Sequence, residues 1–231
     1  MSKENFEALK DKIERLSPAE IKTPNMPVDV FLQEAYNLYQ WSKADQGKLI
    51  KIGIKDFQEF EARIGALSYV QSQWVNNRYQ KGPNRQEWDE RSKKAEELKN
   101  ELENAFRFAF RKRADLLKNL QKIVKGSHNS DLIQDLSDLS ILGKANLPLL
   151  EAISFEGSKL DQAENEASEL SSLLAKVKRE RKEKAELKVC RDKTYSYLKE
   201  LVDEVSQAGK YLFRNTEAKR KGYFSRYLNK R

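Results

Sequence analysis

The sequence predicts an all-α fold: an elongated antiparallel helical bundle with three principal long helices, at about 55–80, 86–125 and 158–213, and short helices at its ends. Three observations carry this prediction. From Ser158 to Ala208 the chain runs 51 residues without glycine or proline, and one helix of that size would be about 75 Å long. Charged residues make up 35% of the chain and mean hydropathy is −0.83, which suits helices that each bury one narrow apolar stripe. Finally, no two strand-like segments exist that could pair. Leu49 to Ile54 alternates as a strand would, but without a mate it reads as a kinked helix or extended connector.

Taken in order, residues 3–16 form a short helix with Phe6, Leu9, Ile13 and Leu16 on one side. Ser17-Pro18 caps a brief turn that Pro24 and Pro27 keep short. Asp29 to Lys43 is a second helix, carrying Phe31, Leu32, Ala35, Leu38 and Tyr39. In the first long helix Phe57, Phe60, Ile64, Leu67 and Trp74 keep a helical beat, and Lys81-Gly82-Pro83-Asn84 ends it. The second long helix carries Ala95, Leu98, Leu102, Ala105, Ala109, Leu116, Leu120 and Ile123. Gly126 to Ser130 breaks the chain again, with Ser130 capping a short helix over 131–142, and residues 143–157 read as a connection. The last long helix has apolar seams on both sides of a fully polar run, Lys178 to Lys184. Nothing divides the sequence into independent domains, so 1–231 reads as one unit, with 209–231 a basic, aromatic helical segment.

Charge predicts a register. If the second long helix folds back on the third with paired positions summing to about 283, Arg111-Lys112-Arg113 faces Glu164, Glu166 and Glu169. The same register sets Arg179, Arg181 and Lys182 beside Glu97, Glu101 and Glu103.

The residue inventory excludes several chemistries. One histidine, His128, in a Gly-Ser-His-Asn-Ser loop, cannot build a di-iron site from paired Glu-x-x-His motifs or a zinc site of several Cys and His. Neither a Gly-x-x-x-x-Gly-Lys-Ser/Thr nor a Gly-x-Gly-x-x-Gly segment occurs to cradle phosphate. Asp131, Asp135 and Asp138 share a helix face, yet aspartates near a helix start ordinarily serve its dipole. The lone Cys190 falls in an apolar stripe and reads as a buried thiol. Trp41, Tyr69, Trp74, Phe106, Phe108 and Phe110 read as core. No catalytic residue, cofactor or metal is expected. The opening residues lack the apolar core of a secretory signal, and a cytoplasmic location is expected.

The remaining functional signal lies at the C-terminal end. Residues 209–231 hold eight lysines and arginines against the single Glu217, a balance of +7 in a chain of formal net charge +8. Tyr211, Phe213, Tyr223, Phe224 and Tyr227 are interleaved with them. Cations with aromatics suit phosphate backbones and bases, and also anionic headgroups. Alternatively, Thr216 caps a helix over 217–228 whose aromatic arc docks and leaves the cations in water.

The sequence thus suggests a non-enzymatic interaction or scaffold protein, with Lys219, Arg220, Lys221, Tyr223, Arg226, Tyr227, Lys230 and Arg231 as candidate partner-binding residues. A protein partner is the first expectation. Nucleic acid is the next, and an anionic membrane surface follows; the layout resembles BAR-type membrane-curving modules in architecture alone. Heptad-like spacing also allows association between copies of the chain.

Overall fold

The computed structural model of the protein describes residues 2–227. Every regular element among them is helical: α1 (Ser2–Glu14), α2 (Val28–Ser42), α3 (Gln46–Lys51), α4 (Phe60–Arg78), α5 (Pro83–Ala109), α6 (Ala114–Ile123), α7 (Asn129–Ala145), α8 (Leu147–Glu151), α9 (Ser158–Leu212) and α10 (Glu217–Arg220). The predicted all-α bundle is therefore observed, and α9 is unbroken across the polar run at 178–184. The chain divides into two compact units. One comprises 1–80 with 183–231, the other 81–182.

In the first unit, α1 packs on α4, and α2 and α4 enclose the second half of α9. Phe31, Ala35, Leu38 and Tyr39 of α2 meet Phe60 and Leu67 of α4 and Tyr195, Leu198, Leu201 and Val205 of α9. The strand-like Leu49–Ile54 is the end of α3 followed by a turn. Gly53, at φ 109°, supplies the left-handed residue that the turn needs.

Arg63 ties these helices together. Its side chain is 3% exposed. It donates to the Tyr197 carbonyl (2.9 Å), to Asp56 (2.9 Å) and to Glu59 (3.1 and 3.2 Å). The guanidinium also lies 3.7 Å from the Tyr197 ring centroid. The Tyr197 hydroxyl donates to Glu59 at 2.8 Å, and Lys12 of α1 completes the carboxylate's partners. Burial opposes ionisation of Glu59, but the hydrogen bonds from Lys12, Tyr197 and Arg63 outweigh it and hold the carboxyl below its ordinary value.

The second unit holds α5 to α8 and the first part of α9 around one apolar cluster, from Trp88 and Leu98 to Leu160 and Leu173. Here the structure corrects three expectations. The long helix at 86–125 is two helices, α5 and α6, separated by a turn at Phe110–Arg113. Phe110 at the end of α5 is fully buried, its ring 5.3 Å from that of Phe106, and its N–H still bonds the Phe106 carbonyl at 2.8 Å. Arg113 then bonds Asp115 at the start of α6 (2.9 and 2.6 Å), which holds the Asp115 carboxyl down at about 2. The register of α5 on α9 also differs. Arg91 pairs with Glu166 (2.7 Å) and Glu169, and Lys159 with Glu101. Positions 91 with 169, and 101 with 159, both sum to 260, not 283. Because α5 stops early and α6 to α8 intervene, α9 meets α5 about six turns away from the expected position.

The third correction concerns 143–157, expected as a connection. Helix α7 continues through Gly143 to Ala145, and α8 follows. Gly143 does not end α7, because its missing side chain is what lets α7 approach Leu160 and Phe106.

Inside this unit Lys99 pairs with Asp135 at 2.5 Å, with side chains 15% and 5% exposed. Burial pushes Asp135 up from its ordinary value, and Lys99 offsets this only in part. Ionising Asp135 therefore costs stability as pH rises through its folded value.

These buried charges make three predictions. Arg63→Ala should lower stability by about 3 kcal/mol, because it removes a buried, packed guanidinium and leaves the part-buried Glu59 to Lys12 and Tyr197 alone. Glu59 has the opposite sign to Asp135: its contribution is present above the ordinary value of 4.5 and lost as pH falls through the lower folded value. Glu59→Gln should thus flatten the acid limb of a denaturant-midpoint-against-pH curve. In the second unit, Lys99→Met alone should destabilise by about 3 kcal/mol, whereas Lys99→Met with Asp135→Leu should restore at least the original midpoint.

Candidate functional site

The C-terminal segment is held against the first unit by contacts that begin at α2 and its following turn. Beyond α9, α10 lasts one turn, a 3-10 turn follows at Lys221–Tyr223, and Phe224 is extended (φ −103°, ψ 144°). The expected helix over 217–228 is therefore cut short at Tyr223. Four interactions, three of them with residues of the chain's first quarter, accompany this. The Tyr223 ring is fully buried, stacked on Phe213 with centroids 5.7 Å apart, and its hydroxyl donates to the buried Asp45 at 3.1 Å. Burial first, and Asp45 second, raise the Tyr223 phenol well above its ordinary value. Glu34 of α2 then accepts from the Ser225 hydroxyl and from the Tyr227 backbone N–H (2.7 Å), which requires a non-helical path.

Two glycines permit this packing. A Cβ at Gly209 of α9 would overlap the Tyr223 ring, and one at Gly222 would overlap Trp41. The Trp41 indole N–H donates to the Lys219 carbonyl at 3.2 Å. Trp41 had read as core, but it is 46% exposed, because it covers the outside of this segment. Phe108, also read as core, is 57% exposed and lies under Arg111, 4.3 Å from its ring centroid.

The candidate residues divide accordingly. Lys219 pairs with Asp45 (3.2 Å) and stands 4.8 Å from the Phe213 ring centroid. Arg220 lies 5.9 Å from the Phe224 ring centroid, and Lys221 pairs with Glu217 at 3.0 Å in an exposed position. Tyr223 is core, and the half-buried Tyr227 packs against the same cluster. Arg226 is exposed. Lys230 and Arg231, with Leu228, lie outside the described residues.

Beside this segment is a cleft with a cavity volume of about 360 Å³, bounded by α2, the last turns of α9 and residues 218–226. Its lining includes Phe31, Trp41, Val202 and Phe224, with Lys210, Lys221 and Arg226 as cations and Glu34 and Asp203 as carboxylates. Sequence reasoning had not joined Glu34, Trp41, Lys199 or Asp203 to the basic segment. They lie far from it in the chain, and their spacing reads as ordinary helix.

The other groups weighed as chemistry are occupied locally. His128 sits at the cap of α7, where its backbone N–H donates to Asp131 at 2.8 Å. Asp135 belongs to the Lys99 pair, and Asp138 accepts from Gln134 at 2.8 Å. Among the described residues, no group of three or more His, Cys, Asp or Glu is placed to hold a metal ion. Burial pushes the Cys190 thiol up, away from the thiolate. Among the described residues no helix is long and apolar enough to cross a membrane.

Comparison with protein-family models, curated proteins and solved structures finds no match to this chain.

The packing of Tyr223 on Gly209 reverses an ordinary expectation. Glycine inside a helix is worth about 1 kcal/mol less than alanine, so Gly209→Ala would stabilise a free helix. Here it should destabilise the unit and release the segment, read as a lower melting temperature and faster trypsin cleavage at 219–221.

Proposed function

We propose that the protein is a non-enzymatic interaction protein that holds a partner's acidic surface against its basic C-terminal segment. The observation that carries this reading is how the segment's two residue classes are used. Tyr223 is buried and Tyr227 half-buried. Arg214 lies over one face of the exposed Tyr211, 5.0 Å from its centroid, and Lys210 over Phe224 at 4.5 Å. The rings support the cations, which leaves few faces open for base stacking. Arg220, Lys221 and Arg226 are carried on a backbone fixed by Asp45 and Glu34. A fixed cationic face steers an acidic partner and sets its orientation.

Carboxylates at the same face favour a protein partner over a polyphosphate. Glu34 and Asp203 line the adjoining cleft, and both would repel a phosphate chain laid along it. A side chain bearing a single negative charge can be placed to avoid them.

Arg220→Glu with Lys221→Glu removes surface charge without touching Asp45 or Tyr223. This double variant should bind an acidic test peptide about tenfold more weakly, at roughly 0.5–1 kcal/mol per rim charge. Fluorescence anisotropy at two salt concentrations measures it, with oligo(dT) and phosphatidylserine vesicles as alternatives. Preference of the unaltered protein for oligo(dT) or for vesicles would replace this reading with a nucleic-acid or a membrane one.

A further inference from the structure

Resting on the acidic-partner reading, we infer that the cleft between α2, the end of α9 and residues 218–226 is a pocket for a short acidic peptide segment. It would take a carboxylate-bearing residue together with a neighbouring aromatic or large aliphatic side chain.

Size is the first argument. A volume of about 360 Å³ falls within the usual span of binding pockets, about 300–1,000 Å³. It is too small for a folded element and sufficient for a side chain or two.

The second argument comes from which charges in the cleft are already satisfied. Glu34 is engaged by Ser225 and by the Tyr227 N–H. Asp203 is held by both of its oxygens to Lys199, at 2.6 and 2.7 Å. The cations are less fully used. Lys210 meets the face of Phe224 and has no carboxylate partner among the described residues. Arg226 makes neither a hydrogen bond nor an ion pair among the described residues. With the acids engaged and these two cations without a carboxylate among the described residues, an anion can pair with them without displacing an existing ion pair. A guanidinium fork is matched to a carboxylate.

The third argument is the apolar lining between these charges. Val202 of α9 lies in the lining, with the partly exposed Phe224 and Trp41. A ligand that carried charge alone would leave this surface wet. One with an aromatic or aliphatic group next to its carboxylate covers it.

The test uses the full chain and fluorescein-labelled peptides Gly-Ser-Asp-Phe-Gly-Ser and Gly-Ser-Asp-Ala-Gly-Ser, which have equal charge. The phenylalanine peptide should bind about tenfold more tightly, the scale for filling an apolar pocket. Ser206 lines the cleft from α9 and is half-buried, so Ser206→Phe occupies the space from within a helix. It should abolish the preference between the two peptides while leaving helicity and melting temperature unchanged. Arg226→Glu should weaken both peptides, and Arg220→Glu with Lys221→Glu should weaken both without changing their ratio. Equal binding of the two peptides, or a ratio that Ser206→Phe does not alter, overturns the pocket but leaves the acidic-partner reading standing. Failure of both peptides to bind overturns the pocket and that reading together.

Discussion

A charged group can remain inside a helical core when hydrogen bonds replace its lost hydration, and the first unit is organised around one that does. Arg63 spends its donors on Asp56, Glu59 and the carbonyl of Tyr197. Those partners lie on the turn before α4, within its approach, and on α9. Lys12 brings α1 to the same Glu59. Losing any one partner leaves another buried charge short of hydrogen bonds, so the helices are positioned together. The position of α9 in turn decides where Gly209, Lys210 and Phe213 stand, and with them the seat for Tyr223.

From that seat the C-terminal segment acquires its character. A basic, aromatic stretch in isolation suits several polyanions. Docking withdraws Tyr223 into the core and commits Lys219 to Asp45. What remains outside is a smaller set of cations on a fixed backbone, next to a cleft that also contains carboxylates. Gly209 within α9 and Gly222 within the 3-10 turn make the docking sterically feasible.

Much of the helical framework was legible because one-sided burial imposes a period on the residues. The stripe Leu160, Ala163, Ala167 and Leu170 predicted α9, and all four are buried. The break after Phe110 was not legible, because neither glycine nor proline marks it. The turn at 110–113 is instead accompanied by contacts made in space: Phe110 is buried in the unit's core, and Arg113 bonds Asp115 at the start of α6. The register failed for a related reason. Exposed ion pairs are individually weak, so complementary charge runs cannot overrule where the apolar seams meet. Asp135 was legible as a member of a polar face, but its burial against Lys99 depends on α5 lying alongside α7.

At the candidate site the division is sharper. The cations and aromatics of 209–231 were visible as a group, since they are adjacent in the chain. Glu34, Trp41, Asp45 and Asp203 were not, because contacts between distant positions leave no trace in local spacing. The sequence by itself determined the helical class, the long helix at 158–212 and the concentration of positive charge near the C-terminal end, since all three follow from local composition and period. Tertiary structure alone decided which of those aromatics are buried, which cations stay open and where a cleft forms. Each of these depends on groups far apart in the chain meeting in space.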